Sequence, residues 1–200
     1  MTTAKATVLE AIAGRNRGLL ADEHTNGRIL KAIATLEAQA PIAEPLAATD
    51  MLMGVWRLLY TTSDELLGIN RLPFYALNQI YQCIDVKASK IYNIAEVTGI
   101  PGLGGLVSVA ATFEAVSQKR VEVTFNRAIF GLQRALSYRT PEQFIDQMEA
   151  TQRFFAIDIR LPAGNQQGWL DITYLDDTLR IGRGNQGSVF VLTKVDVNDD

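Results

Sequence analysis

From about residue 50 onward the chain repeats one pattern: short runs in which apolar and polar residues alternate, separated by Gly, Asn and Asp. Val121, Val123 and Phe125 alternate with Glu122, Thr124 and Asn126. Phe155, Ile157 and Ile159 alternate with Ala156, Asp158 and Arg160, and Leu170, Ile172 and Tyr174 with Trp169, Asp171 and Thr173. A period of two is the signature of strands with one wet face. The same reasoning predicts strands near 53–62, 80–86, 90–98, 107–117, 177–183 and 188–195. Strands without intervening helices cannot build a doubly wound parallel sheet, so an antiparallel meander is expected. Closing it into a β-barrel removes exposed edges, and about eight strands enclose room for one small ligand. The fold class is therefore mostly β: an antiparallel β-barrel preceded by α-helices.

Residues 1–48 have a different character and are expected to form a helical segment that packs on or caps a barrel domain spanning 49–198. Val8, Leu9 and Ile12 share one helical face, with Gly14 as the stop. A second helix is expected to start at the cap-forming pair Thr25-Asn26, run through Ile29, Leu30, Ile33, Ala34 and Leu36, and end before Pro41. Pro41 and Pro45 then mark a linker. Two later segments depart from the strand pattern. Residues 64–79 read as a short helix or lid, and Gly99–Leu106 as a flexible apolar loop.

Composition excludes several functions. The 200 residues carry a net charge of −3, and the 19 basic residues are scattered, so no phosphate-binding surface for nucleic acid is expected. His24 is the sole histidine and Cys83 the sole cysteine. An internal disulfide is therefore excluded, and neither a metal site nor another cofactor is expected. Cys83 lies in an apolar run and reads as a small core residue. Gly99-Ile100-Pro101-Gly102-Leu103-Gly104 has the wrong spacing for a nucleotide loop, and no Walker lysine follows. No apolar run reaches the ~18 residues of a spanning helix.

The carboxylates suggest no catalytic centre. Asp176-Asp177 reads as a solvated turn, and Asp171 and Glu96 fall on outward strand positions. Ser63 and Ser188 have no histidine base in their motifs. No enzyme and no catalytic residue is expected.

Several stretches carry a family resemblance. Leu52-Met53-Gly54-Val55-Trp56-Arg57-Leu58-Leu59-Tyr60-Thr61-Thr62-Ser63 resembles the opening strand of PAP/fibrillin (plastid-lipid-associated) proteins, and Ile80–Asp85 their second strand. Thr173–Asn185 is similar to the family's closing motif, continued by Gly187–Leu192, and Ile12–Gly18 also fits the family. The resemblance spans nearly the whole chain. It implies a lipocalin-like barrel associated with thylakoids or lipid globules, carotenoids, prenylquinones and photoprotection. It also implies a location either cytoplasmic or peripheral at the thylakoid in a cyanobacterium, or plastidial for a mature plant form.

The wider lipocalin pattern adds a Gly-x-Trp on the first strand, here Gly54-Val55-Trp56, and a late arginine packed over that Trp. Arg183 shares its strand face with apolar Leu179 and Ile181, whereas Arg180 shares one with Thr178 and Gly182. On that alternation Arg183 is the expected partner.

The resemblance implies a lipophilic small-molecule partner, an isoprenoid or lipid, held in the barrel. Inward candidates are Trp56, Leu58, Tyr60, Ile84, Phe113 and Val123, then Phe125, Phe155, Ile157, Ile172 and Tyr174, with Arg183 at the mouth. Burying ~300 Å² of polyisoprene at ~25 cal/mol per Å² would contribute up to ~7 kcal/mol before immobilisation costs, which suits micromolar affinity. Leu72, Phe74, Leu103 and Leu106 are expected at a portal or against a membrane or lipid-globule surface. The competing expectation is a coat or scaffold protein at such surfaces without a specific ligand.

Overall fold

The computed structural model describes residues 3–68, 76–99, 104–150, 154–162 and 167–195. Within them the period-two segments become β1 (Gly54–Thr61), β2 (Ala76–Asp85), β3 (Lys90–Thr98), β4 (Gly105–Ala115) and β5 (Arg120–Leu132). They continue as β6 (Ile157–Arg160), β7 (Gln167–Leu175), β8 (Leu179–Gly184) and β9 (Val189–Lys194). Antiparallel pairing runs β4-β3-β2-β1-β9-β8-β7-β5, and β4 pairs back onto β5, so eight strands close on themselves. The remaining strand, β6, pairs with Arg127–Phe130 of β5, beyond the Thr124 position where the β5–β7 ladder stops.

The helices are α1 (Ala4–Ile12), α2 (Glu23–Glu37), α3 (Thr49–Leu52), α4 (Asp64–Gly68) and α5 (Pro141–Glu149). In α1, Thr3 caps by accepting from the Ala6 amide, and Gly14 lies just beyond the end at φ +70°. The cap of α2 is Asp22, which accepts from the Thr25 amide at 2.7 Å; the helix thus starts earlier than Thr25-Asn26 suggested. The expected loop 99–106 is cut short by β4, which begins at Gly105 and places Leu106 in the wall, buried among Ile94, Ile129 and Phe144. Backbone pairing along β3 and β5 claims this segment.

Three apolar clusters hold the domain. One fills the barrel, with Trp56, Leu58, Ile84, Ala111, Val123 and Ile172 among its buried members. A second lies outside, where Val8, Ile12, Ile29 and Ile33 of α1 and α2 cover Leu179, Ile181, Val189 and Val191 of the wall. In the third, Phe144 and Met148 of α5 cover Cys83, Tyr92, Ile94 and Ile129. The N-terminal helices therefore lie along the barrel's side. One end is crossed instead by the linker, whose Ile42, Leu46, Met51 and Leu52 pack against the interior cluster.

The far end depends on the Ile12–Gly18 segment. The Thr61 amide donates to Arg17 O at 3.0 Å, and Arg17 Nη2 donates to Leu77 O at 2.8 Å, tying β1 to β2 through this loop. Gly18 sits at φ +111°, and a Cβ there would lie 2.4 Å from Thr61 O. Both the backbone region and the space demand glycine. Gly18→Ala is expected to destabilise the protein by about 2–3 kcal/mol, combining left-handed strain with a displaced β1 end. Urea unfolding measures it, and a midpoint equal to that of the wild type would show that the loop yields without cost.

Candidate functional site at the barrel floor

The linker does not fill the barrel end it crosses. A partly open cavity of about 310 Å³ remains there, between Leu46 and Leu52 on the linker side and the ends of six strands. Ile84, Ile91, Phe113, Val121 and Ile172 give it apolar walls, with Ser89 and the exposed Glu114 among its polar lining. Arg180 of β8 is the cation in that lining.

Arg180 is 2% exposed. Its guanidinium carbon stands 5.0 Å from the centroid of the fully buried Trp56 ring, a cation–π contact. Trp56 Nε1 donates to Leu52 O at 2.9 Å, fixing the indole against the linker. Arg180 Nη2 donates to Gln82 Oε1, and Gln82 Nε2 donates to Asn93 Oδ1 at 2.9 Å. Arg180 Nε is buried with no hydrogen-bond partner among the described residues. Burial pulls the guanidinium down to about 9, so it is still a cation at neutral pH.

The arginine over the tryptophan is thus Arg180, and the expectation for Arg183 is corrected. The apolar face of β8, Leu179 and Ile181, does not point into the barrel; it points out, under α1 and α2. Arg183 shares that outer face and holds Glu37 of α2 in a fork, Nε to Oε1 at 2.9 Å and Nη2 to Oε2 at 2.7 Å. Glu37 Oε1 also accepts from Thr173 Oγ1 at 2.6 Å, which raises the number of links between α2 and the wall.

The other expected residues divide by position. Trp56, Leu58, Ile84, Val123 and Ile172 belong to the interior cluster, and Phe113 and Phe125 pack against it. Tyr60 and Tyr174 lie instead in the outer cluster. Register shifts between Leu58 and Tyr60 and between Ile172 and Tyr174 insert one residue each, turning both tyrosines outward. Tyr60 donates to Asn26 Oδ1 of α2 at 2.7 Å, and Tyr174 to Asp176 Oδ2 at 2.7 Å. Phe155, at 92% exposed, precedes β6 and packs into none of the three clusters. Ile157, at 62%, stands opposite Phe130, which in turn stands opposite Val107 of the interior cluster. Ile157 is therefore on the inner side of the sheet, left to solvent at the barrel's far end. Leu106 is buried in the wall; Leu72, Phe74 and Leu103 lie outside the described residues.

Gln82 and Asn93 are interior groups that alternation alone could have found. Gln82 interrupts the inward series Ile80–Ile84, and Asn93 the inward series Ile91–Ala95. Asp176-Asp177 does fall in the β7–β8 turn with Asp177 exposed, but Asp176 is half-buried and more than solvated. It accepts from Lys5 Nζ at 2.7 Å and from the Thr178 and Leu179 amides, joining α1 to that turn. Its carboxyl is held below its ordinary value by the Lys5 and Tyr174 hydrogen bonds, against burial, which acts in the opposite direction. Glu96 is pushed up by burial while Tyr138 donates to it at 2.8 Å. Burial likewise pushes the Cys83 thiol up, leaving it an inert core group.

A closed eight-stranded antiparallel barrel with Gly-x-Trp on its first strand and an arginine over that indole defines a lipocalin-like barrel protein. Within that class the chain belongs to the PAP_fibrillin family, which it matches over residues 2–193. It is 34% identical to the light-induced protein, chloroplastic, of Solanum tuberosum, across 95% of this chain and 66% of that one. It is 32% identical to the chromoplast-specific carotenoid-associated protein C1 of an Oncidium hybrid cultivar, across 95% and 68%. With plastoglobulin-1, chloroplastic, of Pisum sativum the identity is 31%, across 95% and 60%. The chain thus spans about two thirds or less of the length of these relatives. No solved structure matches it at a significant level.

Arg183 and Arg180 should now separate experimentally. Arg183→Ala removes a partly exposed tie to α2 and is expected to cost up to about 1 kcal/mol in chemical unfolding. It should leave the floor cavity and the Arg180–Trp56 contact unchanged. A binding defect in this variant with normal stability would return Arg183 to the site.

Proposed function

We propose that the floor cavity binds one lipophilic small molecule, an isoprenoid such as a prenylquinone or carotenoid, and that the protein carries it at thylakoid or lipid-globule surfaces. The observation that carries this reading is the cavity itself: about 310 Å³, largely apolar, with Arg180, Ser89 and Glu114 as its polar lining. That volume lies at the bottom of the usual ligand range, so it suits a head group or end ring with the first part of a chain. The rest of a long isoprenoid leaves through the open side. The carotenoid-associated and plastoglobulin names among the relatives support a lipid partner.

Binding is preferred to catalysis because the candidate carboxylates already serve the fold. Asp171 is held in a fork by Arg120, Glu96 by Tyr138 and Asn78, and Asp176 by Lys5.

Organic extraction and mass spectrometry of protein purified from a photosynthetic host is expected to return a stoichiometric isoprenoid. Titration with plastoquinone should quench Trp56 fluorescence with micromolar affinity. Ala115→Trp places a large ring at an exposed position of the cavity lining and should weaken that binding at least tenfold. Unchanged binding in this variant would move the ligand elsewhere.

A second reading, surface attachment without a ligand, is favoured by the β5–β6 ribbon. Phe130, Leu132, Ile157 and Ile159 are exposed there, with Phe155 exposed just before β6, and Phe130 stands directly opposite Ile157. Exposed apolar side chains of this kind suit contact with a lipid surface. The double variant Phe155→Asp, Ile157→Asp is expected to abolish flotation with phosphatidylcholine-coated triacylglycerol droplets while plastoquinone binding persists. Flotation equal to the wild type would exclude this face.

A further inference from the structure

We infer that the floor cavity selects ligands with an anionic head, a carboxylate above all, and that Arg180 is the group that recognises it. This rests on the proposed reading of the cavity as a site for one lipophilic molecule, and it narrows that molecule from a neutral prenylquinone or carotenoid to an acidic amphiphile.

The protein itself shows what its arginines require. Arg120 holds Asp171 through Nε and Nη2 at 2.6 and 2.7 Å. Arg127 holds Asp158 in the same fork at 2.9 and 2.6 Å, and Arg183 holds Glu37 at 2.9 and 2.7 Å. These three lie at the surface or partly buried, where a counter-charge matters least. Arg180 is the most deeply buried of the four. Yet among the described residues it makes no ion pair; it has one amide oxygen, the Trp56 face, and a buried Nε without a partner. An uncompensated buried cation is costly, and a carboxylate in a guanidinium fork is the strongest neutral-pH remedy. The open side of the site is the cavity that Arg180 lines. Glu114 lies in the same lining, but it is solvent-exposed and makes no ion pair with Arg180.

The cavity's apolar walls then take the first part of the ligand's chain, so the fitting class is an acidic amphiphile, a fatty acid or an isoprenoid acid. One guanidinium suits one carboxylate better than a multiply charged phosphate, which calls for several cations.

The test uses the full chain with cis-parinaric acid and its methyl ester, read by probe fluorescence. The wild type is expected to bind the acid at least about tenfold tighter than the ester, equivalent to about 1.4 kcal/mol. Arg180→Met should abolish the preference while retaining the ester. Its thermal midpoint should be unchanged or raised, because an apolar isostere replaces an unpaired charge. Gln82→Glu provides a second route that keeps the arginine: an internal carboxylate now occupies Arg180, so acid and ester should bind within about twofold. Equal binding of acid and ester by the wild type overturns the head-group inference and leaves the apolar cavity standing. If neither probe binds but plastoquinone quenches Trp56, the anionic inference fails alone. If plastoquinone also fails, the cavity reading fails with it. An acid preference that survives in Gln82→Glu, or in a folded Arg180→Met, would assign recognition to another group.

Discussion

The barrel wall is buried on both faces over much of its circumference, and this constraint decides which residues are left for a ligand. The outer face of β1, β7, β8 and β9 is covered by α1 and α2, and that of β2–β5 by α5. Both sides of a strand can then be apolar, and what distinguishes the interior is its exceptions. On β8 the inward positions are Arg180, Gly182 and Gly184. A Cβ on Gly182 would stand 3.1 Å from Leu170 Cδ1, and one on Gly184 3.1 Å from Phe190 Cε2. The bare backbone lets those two large side chains reach inward from neighbouring strands. The interior is thus filled from β7 and β9, and the start of β8 is left to the cation.

The same constraint explains what could be read from the sequence. Strand existence was legible because period two survives whichever face is buried: β1, β3, β7 and β9 fall where alternation puts them. Facing was less legible. Leu179 and Ile181 make β8 look inward on the side that carries Arg183, yet the greater apolar density belongs to the helix-covered side. Tyr60 and Tyr174 fail for another reason. A bulge inserts one residue and inverts the phase, and neither Leu59 nor Thr173 announces it. The α5 helix did carry a signal, since Thr140 is followed by Pro141 at the first helical position and Gln143 at the third, with Phe144 and Met148 four apart. Local cap chemistry suffices to mark that helix, whereas strand patterning is silent on it.

Charge placement follows a similar economy. Lys5–Asp176, Arg183–Glu37 and Arg120–Asp171 all lie outside the barrel, where each fastens a helix or a neighbouring strand and pays little desolvation. The interior carries the opposite arrangement. Gln82, Asn93 and Arg180 form one hydrogen-bonded chain running from β3 to β8 across the floor, with Trp56 below the guanidinium. A neutral amide can share the guanidinium's protons but cannot neutralise it. A chain of this kind orients a buried cation while leaving its charge uncompensated.

The two ends of the barrel consequently offer different chemistry. Following β5 from Val121 at the floor to Leu132 leads from the cavity that Arg180 lines to the exposed apolar ribbon formed with β6. A lipid surface is uniform and apolar, and the exposed Phe130, Ile157 and Ile159 match it without orientation. A discrete molecule needs enclosure and at least one directional contact, which the ribbon lacks and the floor supplies. If both proposals hold, attachment and cargo occupy opposite ends of one wall. The floor then faces away from the lipid, so a molecule loaded there is exchanged on the aqueous side. A single charged head at the floor would suit that direction of exchange, since it lowers the cost of passing through water before the apolar chain is enclosed.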